Sequence, residues 1–152
     1  MANFRALPRG TQLVLIAGPL LLLSLFATWQ NVEVDYGSAG VATLALDGFD
    51  AWGLALALLV LCTVTIAALG SLTKVELSEE IPWRKLMLGL GIATALVAIV
   101  KSLTDAGSTW ASYGFVGLAI LVAAGTYLDW AAERRSREPV LASKRRGIRP
   151  AA

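Results

Sequence analysis

Histidine is absent from this chain and cysteine occurs once, at Cys62. The first absence removes the commonest general base, the commonest metal ligand and the side chain that titrates nearest neutral pH. Catalytic triads and di-histidine metal or haem sites are therefore excluded. The second leaves no intramolecular disulfide. Cys62 lies inside an apolar run and reads as a packing residue. Charge is scarce as well: 16% of residues are Asp, Glu, Lys or Arg against 57% hydrophobic, far from the balance of a soluble domain. No acid stands near the middle of any long apolar run, which weighs against proton-coupled transport. No two carboxylates share a motif, so acid–base catalysis has no obvious pair; the chain reads as a non-enzyme that needs no cofactor and no metal.

What is present is segmentation. The apolar residues gather into four runs, each near the length that crosses a hydrocarbon core of about 30 Å. They predict helices over about 12–29, 50–72, 84–104 and 109–131, hence an all-α membrane protein: a four-transmembrane-helix bundle occupying residues 1–130. The first run follows Arg5 and Arg9 in the manner of a signal peptide. However, the bulky Phe26 and Trp29 stand where a cleavage site needs small residues, so the run reads as an uncleaved helix. Its Gly18-Pro19 step predicts a bend. Small residues four apart, Gly53 with Ala57, Gly89 with Ala93, Gly91 with Ala95 and Ala119 with Ala123, predict close helix contacts.

The outer loop, 30–49, carries Glu33, Asp35 and Asp47 and no Lys or Arg. Residues 32–36 alternate apolar and polar, 37–40 supply Gly and Ser, and 41–46 form a second extended run. That is the pattern of a small β-hairpin between helices one and two. The tail, 131–152, loses its apolar residues and gains seven basic ones, which predicts a helical extension that frays into disorder.

Lys and Arg divide by side. Twelve, namely Arg5, Arg9, Lys74, Arg84, Lys85 and the seven of the tail, fall on one face of the proposed topology, and Lys101 alone on the other. Basic residues flanking membrane spans stay in the cytoplasm. The expectation is a multi-pass protein of the cell membrane with both termini inside and the acidic hairpin outside. Trp29, Trp52 and Trp110 then fall near the outer interface and Trp83 and Trp130 near the inner one, as interface anchors.

Three residues are candidates for function. Lys101 carries an ammonium inside the apolar pattern; its stem is long enough to snorkel to the outer interface, and Asp105 four residues on is placed to pair with it. Asp129 closes the fourth run at the inner side, where Arg84 and Lys85 are available partners. In the tail, Lys144, Arg145, Arg146 and Arg149 suit anionic lipid headgroups, at about 1 kcal/mol per basic residue near the surface. Nucleic acid is not expected, because no aromatic residue interleaves these charges.

The sequence elements Phe26-Ala27-Thr28-Trp29, Gly48-Phe49-Asp50 and the late Lys101 resemble those of small, largely uncharacterised four-helix integral membrane proteins common in actinobacteria. Ala27-Thr28 here stands where those chains carry Leu-Pro. The resemblance implies the same topology and supplies no activity. The functional expectation is a non-enzymatic accessory or scaffolding membrane protein, surrounded by lipid and engaging a membrane-protein partner or further copies of itself. The alternative is a small oligomeric channel or transporter using Lys101 and the outer acids.

Overall fold

The computed structural model describes residues 4–48, 51–72, 82–105 and 109–147, the last stretch of it (137–147) as backbone. After a short 3₁₀ turn, Phe4–Ala6, the elements are α1 (Arg9–Ser24), strands β1 (Gln30–Asp35) and β2 (Val41–Leu46), α2 (Ala51–Leu72), α3 (Trp83–Thr104) and α4 (Trp110–Gly147). Each helix packs on its neighbour in sequence, and α4 returns to pack on α1, closing a four-membered ring.

Buried positions recur at alternating spacings of three and four: Leu56, Val60, Thr63 and Ala67 on α2, and Met87, Gly91, Thr94, Ala98 and Lys101 on α3. That is the three-and-four spacing of a helix-bundle seam. Unlike a water-soluble bundle, this one exposes large apolar side chains outside while mixing small hydroxyls into an interior that also holds Val14, Leu21, Leu56 and Val60. The inside holds Thr11, Thr63, Thr94, Ser102, Ser112 and Thr126, whereas the outside displays Leu23, Phe26, Leu58, Leu96, Leu103 and Ile120. Leu103 is 79% exposed. Such an apolar exterior is stable only where lipid is the solvent.

Each interior threonine of α2, α3 and α4 satisfies its hydroxyl locally, donating to a carbonyl of its own helix: Thr63 to Leu59 at 2.7 Å, Thr94 to Leu90 at 2.8 Å and Thr126 to Ala123 at 2.9 Å. A buried hydroxyl therefore costs little here.

Among the described residues three helices, Trp52–Ser71, Trp83–Thr104 and Trp110–Ser136, are long and apolar enough to cross a membrane. The expected fourth, α1, is shorter. Its 16 residues give about 24 Å of helix, and it stops at Ser24 instead of running to 29. Beyond Ser24 the ladder tightens into turns, with Leu25 N–H bonding Leu22 O, Phe26 N–H bonding Leu23 O and Ala27 N–H bonding Ser24 O. At the far end of the chain α4 overruns its expected limit, continuing as helix through residue 147 where the tail was expected to fray. Arg149 lies outside the described residues, as do the Lys74 loop and the side chains of Lys144, Arg145 and Arg146.

The hairpin forms as its alternation predicts. Strands β1 and β2 pair antiparallel, from Gln30 opposite Leu46 to Asp35 opposite Val41. Directly opposed residues share a face, so Gln30, Val32, Val34, Ala42, Leu44 and Leu46 lie on one side, and Asn31, Glu33, Asp35, Val41, Thr43 and Ala45 on the other. Gly37 and Gly40 at the turn have φ of 64° and 97°, values that side chains with a Cβ rarely adopt.

Glycines set the closest helix crossings, though only in part those expected. A Cβ on Gly91 would overlap the Thr126 side chain, one on Gly18 would overlap Val64, and Gly10 and Gly125 approach each other so closely that a Cβ on either would strike the other's carbonyl oxygen. Gly89, by contrast, has nothing within 4 Å of such a Cβ. Cys62 is exposed on the outer face of α2 and so does not pack inside the bundle. Accordingly, Gly10→Ala should destabilise the fold by about 1–3 kcal/mol through backbone overlap, while Gly89→Ala should be neutral within about 0.5 kcal/mol. Unfolding titrations of the two variants in mixed detergent micelles check this contrast.

Candidate functional site

The residues expected to carry function fall into two clusters at opposite ends of the bundle. Lys101 and Asp105 lie at the end that bears the hairpin, Asp129 at the other.

The hairpin-end cluster is built around Trp29. Five residues after Ser24, the indole folds back and its Nε1–H donates to Ser24 O at 2.9 Å. That carbonyl also accepts from Ala27 N–H, which accounts for the early end of α1. The Trp29 ring stacks on Phe115 of α4 with centroids 4.8 Å apart. Its backbone is engaged on both sides: Trp29 N–H donates to Leu46 O at 2.9 Å, and Thr109 N–H donates to Trp29 O at 3.0 Å. Gly48 N–H adds a bond to Leu25 O at 2.8 Å, and the Thr109 hydroxyl one to Thr28 O at 2.8 Å.

Lys101 packs onto this assembly. Its Nζ stands 5.1 Å from the Trp29 ring centroid, within cation–π range, and 3.0 Å from Asp105 Oδ2. The Lys101 side chain is 0% exposed and that of Asp105 6%. The predicted pairing is therefore present, but the snorkelling geometry is not. Lys101 turns inward because both an anion and an aromatic face await it there, next to buried Ser102 and Ser112, whose hydroxyls lie 3.5 Å apart. Trp29 is likewise a correction: expected as an interface anchor, it is fully buried in the core with Leu21, Leu25, Leu56, Val60, Ala98 and Ala119.

At the opposite end, Asp129 is 5% exposed. The Thr11 hydroxyl donates to its Oδ2 at 2.6 Å, and the Gly10 backbone presses against the same carboxylate. Arg84, at the start of α3, reaches toward Asp129 at 3.8 Å and toward Glu133 at 3.7 Å. Both separations are those of ion pairs and exceed hydrogen-bond length. One turn beyond, Arg134 covers the Trp130 ring, its guanidinium carbon 4.3 Å from the centroid. Trp83 and Trp130 are half-buried at this end, and Trp52 and Trp110 exposed near the other.

Chemically, each cluster sets opposite charges against one another: Lys101 against Asp105 at one end, and Arg84 between Asp129 and Glu133, beyond hydrogen-bond length, at the other. Among the described residues no group of three or more Cys, Asp or Glu is placed to hold a metal. Lys101 and Asp129, separated by the apolar middle of the bundle, do not share a site. Sequence reasoning missed Thr11 and Glu133, and no spacing points to the first, since Thr11 and Asp129 are 118 residues apart. Comparison with protein-family models, curated proteins and solved structures finds no match to this chain.

Removing one charge of the buried pair strands the other, at a cost of about 3–5 kcal/mol, whereas replacing both by apolar residues is close to neutral. Asp105→Asn should thus destabilise the protein by about that amount, and the double variant Lys101→Met with Asp105→Leu by less than either single change. Unfolding titrations of Asp105→Asn, the two single changes Lys101→Met and Asp105→Leu, and the double variant in parallel report the order.

Proposed function

We propose that this protein is a non-enzymatic accessory or scaffolding subunit of the cell membrane, which presents an acid-faced hairpin outside and a basic helical extension inside to membrane-protein partners. The carrying observation is where the uncommitted chemistry lies. The buried ionisable groups Lys101, Asp105 and Asp129 each face an opposite charge, while Glu33 and Asp35 are exposed on one face of the hairpin. Three apolar helices of sufficient length support membrane insertion. The fourth crossing, by α1, is supported by its place in the closed ring alongside them and by the tight turns that prolong it to residue 27.

The sidedness rests on the twelve-to-one division of Lys and Arg. In that orientation exposed Trp52 and Trp110 sit at the outer interface, and Trp83 and Trp130 at the inner one. The basic residues Lys144, Arg145, Arg146 and Arg149 meet anionic lipids there. The resemblance to small actinobacterial four-helix membrane proteins accords with this topology. The channel or transporter reading has less support, since Lys101 is occupied by Asp105 and Trp29 and the interior threonines bond within their own helices.

In a Cys62→Ala background, Ser38→Cys should react with an impermeant thiol reagent on intact cells, and Ser143→Cys only after permeabilisation; the reverse pattern would invert the topology. Mild extraction of the tagged chain should recover a stoichiometric membrane partner, which is lost when Glu33 and Asp35 are changed to Lys. Recovery as a lone homo-oligomer that conducts ions in liposomes would replace the scaffold reading with the channel.

A further inference from the structure

A cavity of about 330 Å³ opens between the ends of α1, α2 and α3 at the pole away from the hairpin. Its volume lies at the small end of the range for ligand pockets. It is too small for a whole lipid and fits a headgroup. Its wall is graded. Arg84, Thr11 and Ser71 supply polar groups, Trp83 an amphipathic ring, and Ile66 and Met87 an apolar side.

Arg84 is the cationic group on that wall, its charge offset by the two carboxylates beside it. A guanidinium has five N–H donors in a planar fork suited to phosphate. The groups that face Arg84 are Asp129 and Glu133, at 3.8 and 3.7 Å. These distances hold the guanidinium in place electrostatically without consuming its donors in hydrogen bonds. The side chain is 47% exposed, so the fork is accessible. The Thr11 hydroxyl donates its hydrogen bond to Asp129, and Ser71 adds a second hydroxyl to the wall. Trp83 on the same wall favours the depth where headgroups lie.

We propose that this cavity binds the phosphate-bearing headgroup of an anionic phospholipid, with Arg84 on the phosphate and the acyl chains leaving along the apolar wall of Ile66 and Met87. The site is distinct from the basic tail, whose attraction for anionic lipid is diffuse. It rests on the membrane reading above but not on its sidedness.

The test is native mass spectrometry of the delipidated full-length protein, titrated with phosphatidylglycerol, phosphatidylcholine or inorganic phosphate. One tight equivalent of phosphatidylglycerol is expected, without a counterpart for phosphatidylcholine. Arg84→Gln should weaken it about tenfold, as loss of a charge-assisted contact does. Gly70→Leu, which fills the cavity and leaves Arg84 and its carboxylates intact, should weaken it comparably, so the result does not depend on whether Arg84→Gln folds well. Changing Lys144, Arg145, Arg146 and Arg149 together to Gln should leave the tight equivalent in place. Its persistence in both cavity variants, or its loss in the tail variant, would overturn the proposal. Displacement by inorganic phosphate as effective as by lipid would show a site for the free anion and overturn the lipid assignment. The thiol-labelling pattern reads the topology independently, so failure of either reading is distinguishable from failure of the other.

Discussion

The hairpin end of this protein depends on the placement of one indole. Because Trp29 folds back to donate to Ser24 O, α1 ends early and the chain leaves at a fixed point. Because its backbone N–H and C=O are then taken by Leu46 and Thr109, the base of the hairpin and the start of α4 are drawn to that point. Because its ring face is presented inward against Phe115, an ammonium can be buried over it, and Lys101 brings Asp105 and the end of α3 to the same place. A buried ion pair is weak evidence for stability in itself. Here it acts with the indole to hold three helices and a sheet in one arrangement.

The bundle below this node follows from the solvent. Lipid gives apolar side chains no drive to turn inward, so many leucines and isoleucines face outward while others pack inside, and small residues and locally satisfied hydroxyls let the helices approach. Gly10 against Gly125 and Gly91 against Thr126 allow backbone approach at the end away from the hairpin, where Thr11, Asp129, Arg84 and Glu133 form the second polar cluster. Between the two clusters lies an apolar middle of Leu21, Leu56, Val60 and Ala98. A protein so arranged offers its ends and its surface for interaction, which is why the hairpin, the helical extension and the Arg84 cavity carry the functional argument.

Much of this was legible from residues alone, for identifiable reasons. Helices α2 and α3 announce themselves by unbroken apolar runs, and the hairpin by strict alternation flanking Gly37 and Gly40, all of them local signals. The Lys101–Asp105 pair was legible because it is an i, i+4 contact on one helix. What escaped was determined by distant segments. The end of α1 depends on where Trp29 turns, and Trp29 turns inward because Phe115 and Lys101, more than seventy residues on, provide its surroundings. The same holds for Thr11 with Asp129 and Gly10 with Gly125, partners more than a hundred residues apart. Cys62 was misread because its apolar neighbours gave no indication of which face of α2 meets lipid.

Hydrogen–deuterium exchange of the backbone amides at positions 29, 48 and 109, measured in detergent for the native chain and for Trp29→Leu, examines the central dependence most directly. The account predicts slow exchange at all three in the native chain. It also predicts a joint acceleration in the variant, with amides near Thr11 and Asp129 unaffected. Fast exchange in the native chain, or three amides indifferent to loss of the indole, would contradict it.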